Sequence, residues 1–150
     1  KKYFDDYLAM ARDGKNLLMV PGEATAMRPL LRALRKGELV GITPDQQPKI
    51  GGGEFAAFHG HQALTLTLIA KLAQRSGAPV VFTYSERNGT GYDVFFDSPD
   101  LLMAHEDIHT ALDAMNNHVQ AIAERDYRQY QWTYKRFSIR PNSNDKNLYS

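Results

Sequence analysis

Asp45 and Gln46 are the polar residues whose position points most directly to a functional site. They follow Pro44 after a predicted strand over residues 39–42, and they open a long Pro- and Gly-rich loop over residues 43–65. Ligand crevices form at the carboxyl ends of strands in α/β folds, where a carboxylate can orient a substrate hydroxyl. The alternative is an Asp that hydrogen-bonds its own turn, as Asp after Pro often does. The spacing leaves both interpretations open.

Three arginines lie on one face of a predicted helix over residues 24–36. Arg28, Arg32 and Arg35 are spaced at i, i+4 and i+7, so they share that face. Guanidinium groups in this arrangement can bind phosphates through paired hydrogen bonds, or they can contact an acidic protein surface. A solvated helix face is the ordinary explanation of such a charge run. The stripe by itself therefore does not define a ligand.

The other polar patterns predict no metal site and no Ser nucleophile. Residues 51–53 are three glycines without a phosphate-loop signature, which favours a flexible loop over a phosphate cradle. His59 and His61 flank a glycine without an evident third metal ligand. His105 and His109, at i and i+4, are likewise not expected to hold zinc. No Gly-x-Ser-x-Gly elbow occurs, so a hydrolase of that class is disfavoured.

The composition narrows the class of protein further. The chain has 150 residues, of which 43% are hydrophobic, and this is enough for one domain with a buried core. Eighteen basic residues against 17 acidic ones give a net charge of +1, so we expect no nucleic-acid partner. The absence of cysteine excludes disulfides and a Cys nucleophile. The sequence begins with Lys rather than Met, which predicts a processed product or a piece of a longer protein.

The apolar patterning predicts an α/β fold. Predicted helices cover residues 1–12, 24–36, 63–74 and 106–124, and predicted strands cover residues 17–20, 39–42, 79–84 and 92–96. The first strand, helix and strand suggest a parallel crossover. Asn88-Gly89 suggests an antiparallel hairpin. We therefore predict a single α/β domain over residues 1–150, with a mixed sheet flanked by helices and a flexible tail over residues 142–150.

The segment over residues 127–137 alternates aromatic and basic side chains. Such a segment can stack on single-stranded nucleic acid, lie at a membrane interface or pin the last helix to the sheet. Pinning is the favoured interpretation of the rings. The basic side chains either extend outward into solvent or have another role, and the sequence leaves this question open.

The ordered set of short motifs resembles the bacterial lipid A late acyltransferases, the lauroyl and myristoyl transferases of lipopolysaccharide assembly. The resemblance covers almost the whole chain, and its specificity comes from the order and spacing of the pieces. The matching pieces are residues 33–38, 44–46, 52–53 with Phe55, Phe58 and Gly60, 63–65, 72–73, 77–81, 86–87, 91–92, 129–132, 135–137 and 140–141.

The resemblance implies transfer of a fatty acyl chain from acyl carrier protein to a hydroxyl of an anionic, Kdo-bearing lipid A precursor. It places the reaction at the cytoplasmic face of the inner membrane of a Gram-negative bacterium and implies no cofactor. The implied fold is glycerolipid-acyltransferase-like, with a His-X4-Asp/Glu pair as catalytic base and orienting acid. None of the five histidines here has Asp or Glu five positions on. We therefore expect the catalytic pair upstream, and we expect this chain to be an incomplete, inactive C-terminal part.

The same resemblance suggests substrate-binding residues. Asp45 and Gln46 match the family's Asp-Gln block and are expected to position the acceptor or its phosphates. Arg28 is the candidate for the family's Arg block, and Arg28, Arg32 and Arg35 are all expected to face an anionic lipid or the acidic carrier protein. Glu86 and Arg87 match a family pair that either forms structural ion pairs or contacts substrate. The alternatives in function are a non-catalytic lipid or membrane binding module and an acyltransferase acting on a glycerophospholipid.

Overall fold

The computed structural model describes Val20, residues 24–99 and residues 101–149. The predicted helix over residues 1–12 and most of the predicted strand over residues 17–20 lie outside the described residues. Among those that are described, helices and short antiparallel strands alternate. The elements are α1 (Met27–Arg35, preceded by a 3-10 turn at Ala24–Ala26), β1 (Gly53–Phe58), β2 (His61–Leu66), α2 (Leu68–Ser76), β3 (Phe82–Asn88), β4 (Gly91–Asp97), a 3-10 turn at Leu101–Ala104, α3 (Ile108–Arg125) and a 3-10 turn at Trp132–Tyr134.

The prediction of a structureless loop over residues 43–65 is wrong, because its second half forms a β-hairpin. β1 and β2 pair antiparallel, from Gly53 opposite Leu66 to Phe58 opposite His61. A two-residue turn joins them, with φ of 47° at His59 and 75° at Gly60, the backbone sign that tight hairpins require at both positions. The segment is rich in small residues, but it forms a hairpin because its turn residues adopt positive φ and because alternate residues of β1 are buried.

Two further predictions fail for related reasons. The helix predicted over residues 63–74 begins only at Leu68, because Ala63 and its neighbours pair in β2. The strand predicted over residues 39–42 does not form among the described residues, and Leu39 is 97% exposed. A four-residue apolar run is ambiguous when no neighbouring strand completes its hydrogen bonds. Among the described residues, two separate two-stranded antiparallel sheets therefore stand in place of the predicted parallel crossover and mixed sheet.

The predicted hairpin around Asn88-Gly89 is confirmed, and its strands are longer than expected. β3 and β4 pair antiparallel from Phe82 opposite Asp97 to Asn88 opposite Gly91. Gly89 supplies the positive φ of 58° in the connecting turn. Gly37 and Gly77 adopt positive φ at the ends of two helices, two residues after the end of α1 and directly after α2.

α3 is the clearest predicted helix, and it forms the centre of the fold. Asp107 caps its first turn by accepting from the Thr110 backbone N–H over 2.8 Å. The apolar face of α3 packs against the β1–β2 hairpin and the Leu101–Ala104 turn. Each of the largest apolar side chains in this core contributes about 1.5–3 kcal/mol to stability through its removal from water. These fully buried side chains are Phe58, Met103, Leu112 and Met115.

Candidate substrate-binding site

Asp45 and Gln46 lie in a turn that begins at Pro44, not at the end of a strand. The Asp45 side chain is half-buried and Gln46 is exposed. The C-terminal segment binds this turn on both sides. Arg136 Nη1 donates to the Pro44 carbonyl over 3.4 Å, and Gln47 Oε1 accepts from the Ile139 backbone N–H over 3.0 Å. The predicted site residues are therefore held by chain more than 90 residues away.

A buried polar network lies directly behind the turn. The side chain of Arg136 is 4% exposed, and its Nη2 donates to Asn116 Oδ1 over 2.8 Å and to Thr65 Oγ1 over 3.5 Å. The guanidinium carbon stands 4.7 Å from the centre of the Phe58 ring, which is a cation–π contact. Asn116 and Thr65 are themselves fully buried. The network thus places a cation within the core between the turn, the first hairpin and α3.

Asn116 satisfies both ends of its amide in this network. Its Nδ2 donates to the Ala57 carbonyl over 2.9 Å and to Thr65 Oγ1 over 3.0 Å, while its Oδ1 accepts from Arg136. Thr65 Oγ1 in turn donates to the Ala63 carbonyl over 2.9 Å. Because buried polar groups are costly without partners, this set of bonds fixes α3 to the first hairpin in one register.

The electrostatics of the turn involve two more groups near Asp45. Burial, followed by the charge of Asp45, raises the pKa of Tyr130 to about 12. Burial lowers the pKa of Arg136, while the charges of Tyr130 and then Asp45 oppose that change. Since Tyr130 is uncharged at neutral pH, Asp45 supplies negative charge to the buried guanidinium there. The Asp45 carboxylate consequently acts on its protein neighbours as well as facing solvent in part.

A shallow groove of about 350 Å³ adjoins the turn. One wall is the start of β1 and the other is the C-terminal segment that contains Ile139. The groove has mainly apolar side chains, with one acid and one base at its rim, and its lining residues are Ile50, Gly51, Gly53, Glu54, Phe55, Leu64, Ile139, Arg140 and Pro141. Ile139 also donates its backbone N–H to Gln47, so the groove and the Asp45 turn share a wall.

The glycines at the start of this groove have structural roles. Gly51 adopts φ of +86° in a turn closed by a hydrogen bond from the Gly52 N–H to the Lys49 carbonyl, 2.9 Å long. A Cβ on Gly53 would stand 2.3 Å from the Thr65 carbonyl oxygen. The prediction of a flexible loop at residues 51–53 is therefore wrong, because these residues form a turn and the first position of β1.

The arginine stripe forms as predicted but is not joined to the Asp45 turn. Arg28, Arg32 and Arg35 lie on α1 and are exposed. In the described part of the chain, none of the three side chains makes a hydrogen bond or ion pair. α1 packs against α2, away from the buried network on α3. The stripe is thus a separate cationic surface.

Glu86 and Arg87 lie on β3 and have protein partners. Glu86 accepts from Arg125 Nε on α3 over 2.6 Å, and the Arg125 guanidinium stands 4.8 Å from the centre of the Phe95 ring. The Arg87 guanidinium lies over Tyr92, and its backbone N–H donates to Gln129 Oε1 over 2.6 Å. The ion pair ties the second hairpin to α3. Substrate contact by Glu86 or Arg87 stays a prediction.

The histidines do not assemble a metal centre among the described residues, where no three His, Cys, Asp or Glu side chains cluster. Residues 105–109 do match the His-Glu-x-x-His pattern of zinc proteases. However, α3 begins only at Ile108, so His105 lies before the helix and not on one face with His109. His105 Nδ1 instead accepts from the Asp107 N–H over 3.1 Å.

The buried network is the feature that the sequence interpretation missed. One signal was available, because Asn116 is four residues after Leu112 on the apolar face of the most regular helix. The aromatic segment is confirmed in part, since Tyr130 and Phe137 pack against the core while Tyr127 is 67% exposed. Arg136, in the same segment, is buried. For this residue the open question, whether the basic side chains of the segment point into solvent, is therefore answered: its side chain points inward.

A larger cleft of about 440 Å³ lies along α3. It contains His118, whose Nε2 stands 4.0 Å from Asp97 Oδ2, but none of the predicted substrate-binding residues lines it. Among the described residues, no helix has the length and apolar content needed to cross a membrane.

Comparison with known proteins identifies the family. The profile of the family described as bacterial lipid A biosynthesis acyltransferase matches residues 1–138. The chain belongs to this family. The match contains the turn with Asp45, the arginine stripe and Arg136, so the resemblance inferred from the motifs is confirmed.

Two members of the bacterial lipid A biosynthesis acyltransferase family from Escherichia coli (strain K12) are similar to this chain over 118 residues. A lipid A biosynthesis lauroyltransferase is 31% identical, and the aligned part covers 77% of this chain and 39% of that protein. A lipid A biosynthesis palmitoleoyltransferase is 30% identical, with 77% and 38% covered. A lipid A biosynthesis acyltransferase from Shigella flexneri is also 30% identical, with the same coverage. The chain thus spans about two fifths of the length of these curated relatives.

Proposed function

We propose that this chain is part of an enzyme that transfers a fatty acyl chain from acyl carrier protein to a hydroxyl of a lipid A precursor in lipopolysaccharide biosynthesis. The observation that carries the proposal is the family match over residues 1–138. The relatives' names, lauroyltransferase and palmitoleoyltransferase, support fatty acyl groups as the transferred class. They do not define the chain length used by this protein.

In this proposal the Asp45–Gln46 turn positions the acceptor. Asp45 is half-buried, so one side of its carboxylate is available to accept a hydrogen bond from a sugar hydroxyl. Gln46 is exposed beside it and supplies both a donor and an acceptor. The apolar groove that shares the Ile139 wall lies next to these groups and suits a lipid portion of a substrate.

The arginine stripe serves a second purpose in this proposal. Arg28, Arg32 and Arg35 are exposed on one helix face and carry three positive charges without described partners. Such a surface attracts the phosphates of a lipid A precursor, an acidic carrier protein or the anionic surface of the inner membrane. This surface supports a location at the cytoplasmic face of that membrane, where the carrier protein is present.

The chemical step needs a general base that we expect outside these 150 residues. The acceptor oxygen attacks the carbonyl carbon of the acyl thioester, the base takes the hydroxyl proton, and the C–S bond breaks to release the carrier thiol, which receives a proton. A His-X4-Asp/Glu pair in a glycerolipid-acyltransferase-like fold would supply that base. No cofactor is required for this exchange of an ester for a thioester. We propose accordingly that the 150 residues by themselves are inactive.

Product analysis with purified components tests the proposal. The gene product that contains this sequence is given lauroyl carrier protein with a Kdo-bearing lipid A precursor, or with a lysophospholipid, and the products are identified by mass. Acylation of the lipid A precursor is the expected result. Acylation of the lysophospholipid alone would indicate a glycerophospholipid acyltransferase. Binding of both lipids without any transfer would indicate a non-catalytic lipid-binding module.

A further inference from the structure

We infer that Arg136 is a positioning residue that holds the Asp45–Gln46 turn in its binding conformation. The inference rests on the proposed role of that turn in binding the acceptor. The buried arginine orients the turn. Arg136 reaches the turn from the interior and does not itself touch substrate.

In the part of the chain that the structure describes, few other contacts hold the turn in position. Among the described residues, the segment over residues 39–48 makes no backbone–backbone hydrogen bond. Its recorded bonds are made by two residues of the C-terminal segment: Arg136 donates to the Pro44 carbonyl, and Ile139 donates to the Gln47 side chain. A loop without backbone bonds samples many conformations unless side chains restrict it. The position of Asp45 therefore depends on residues 136–139.

The other end of Arg136 is attached to rigid elements. Nη2 donates to Asn116 on α3 and to Thr65 on β2. Asn116 also bonds to the Ala57 carbonyl on β1 and to the Thr65 hydroxyl on β2. Asn116 and Thr65 are fully buried in the core. The guanidinium is consequently a bridge between the rigid centre of the fold and a turn to which the described residues supply no backbone–backbone hydrogen bond.

The charge of Arg136 indicates a role beyond filling the core. Within the described residues its hydrogen-bond acceptors are a carbonyl, an amide and a hydroxyl, all uncharged, and its Nε is buried without a partner. A buried cation without a contacting carboxylate is costly, and a neutral side chain would fill the same space more favourably. Asp45 is the carboxylate whose charge acts on it. The turn that Arg136 binds therefore also carries a carboxylate whose charge acts on the guanidinium.

Lysine cannot replace arginine in this bridge. The planar guanidinium directs Nη1 to Pro44 and Nη2 to Asn116 at the same time. A single ammonium group at the end of a flexible chain reaches one of those acceptors and loses the other. Arg136→Lys therefore separates the positive charge, which it keeps, from the bridging geometry, which it removes.

The test compares Arg136→Lys with a matched control in the gene product that contains this sequence. Limited digestion with a protease of broad specificity is followed by mass spectrometry, which gives the rates of cleavage within residues 39–48 and within residues 108–125 of α3. We expect cleavage within residues 39–48 to become about tenfold faster in Arg136→Lys, the effect of losing one bond to a charged donor, while α3 stays resistant. Arg128→Lys, a change at an exposed arginine that bonds to Asp126, should leave both cleavage rates unchanged.

Two readouts keep the outcomes distinct. A folded Arg136→Lys protein with the wild-type rate of cleavage within residues 39–48 would overturn the inference. If Arg136→Lys speeds cleavage equally throughout the chain, the residue is merely structural, and the inference is again rejected. An increase in KM for the lipid acceptor, with no further increase when Asp45→Asn is added, is expected because both changes affect one unit. Faster cleavage within residues 39–48 of Arg136→Lys, without any acyl transfer by the wild-type protein, would reject the proposed function and retain the positioning role.

Discussion

Asn116 and Arg136 meet in the interior of the protein, where Arg136 Nη2 donates to Asn116 Oδ1 over 2.8 Å. The two residues are 20 positions apart, and each is at most 4% exposed. Their contact joins the most regular helix to the segment that holds the Asp45 turn. Several measurable properties of the protein depend on this pair and on its neighbours.

Asn116→Leu should destabilise the fold strongly. The change leaves the Arg136 guanidinium without its shortest bond and the Ala57 carbonyl without its donor. We expect the free energy of unfolding, measured by urea titration, to fall by about 2–4 kcal/mol. Asn117→Leu, at the next and exposed position, should change it by less than about 0.5 kcal/mol. Equal losses in the two variants would contradict the importance of the network.

Gly53→Ala should disturb the first hairpin. The added Cβ would stand 2.3 Å from the Thr65 carbonyl oxygen and 2.7 Å from Pro48 Cγ, so β1 or β2 must shift. We expect a loss of about 1–3 kcal/mol in the free energy of unfolding, typical of overpacking. At Gly41 a Cβ meets nothing within 4 Å, so Gly41→Ala should be neutral or stabilising. A thermal melt of both variants distinguishes the steric effect from a general effect of replacing glycine.

Tyr130 should make stability depend on alkaline pH. The folded protein raises its pKa from 10.0 to about 12, so its proton is held more tightly in the folded state. The stabilising contribution is complete below pH 10 and is lost as the pH rises towards 12. We expect the free energy of unfolding of Tyr130→Phe to decline less steeply over that range. Neutral pH, where the phenol is protonated in both states, is the internal reference; identical slopes at alkaline pH would show that Tyr130 does not contribute.

Replacement of Arg28, Arg32 and Arg35 by glutamine should weaken binding to anionic lipid without loss of stability. The three side chains are exposed, and no described partner depends on them. Each basic residue near an anionic membrane contributes about 1 kcal/mol, so the triple variant should bind vesicles of anionic phospholipid roughly 100-fold more weakly. Co-sedimentation at two salt concentrations measures this effect.

A dispersed charge change is the matched control for the stripe. Lys49, Arg75 and Lys146 are exposed basic residues on three different parts of the surface. Their joint replacement by glutamine removes the same charge, and it should reduce vesicle binding far less if the aligned face on α1 is the binding surface. Equal weakening in both triple variants would instead assign the effect to net charge.

Asp45→Asn should lower acyl transfer more than stability. The amide keeps the size of the side chain but loses the charge that acts on Arg136 and on a bound acceptor. We expect kcat/KM for the lipid acceptor to fall by at least about tenfold, while the unfolding midpoint changes only slightly. Glu106→Gln, at an exposed acid on the approach to α3, should retain wild-type kinetics. A parallel loss of activity and stability would identify Asp45 as a structural residue.

The features that the sequence predicted correctly are local ones. The apolar repeat of α3 and the turn at Gly89 are properties of short windows, because helix periodicity and the sign of φ depend on near neighbours. The ordered motifs also led to the correct family, which the match over residues 1–138 confirms.

The tertiary structure alone decided how the candidate site is held. The first hairpin depends on pairing across a His59-Gly60 turn, and the strand expected at residues 39–42 has no pairing partner among the described residues. The sequence determined that Asp45 and Gln46 are the candidate residues. Only the fold brought Arg136 within 3.4 Å of the Pro44 carbonyl, 92 residues away, because burial of a charged side chain depends on acceptors that distant parts of the chain supply.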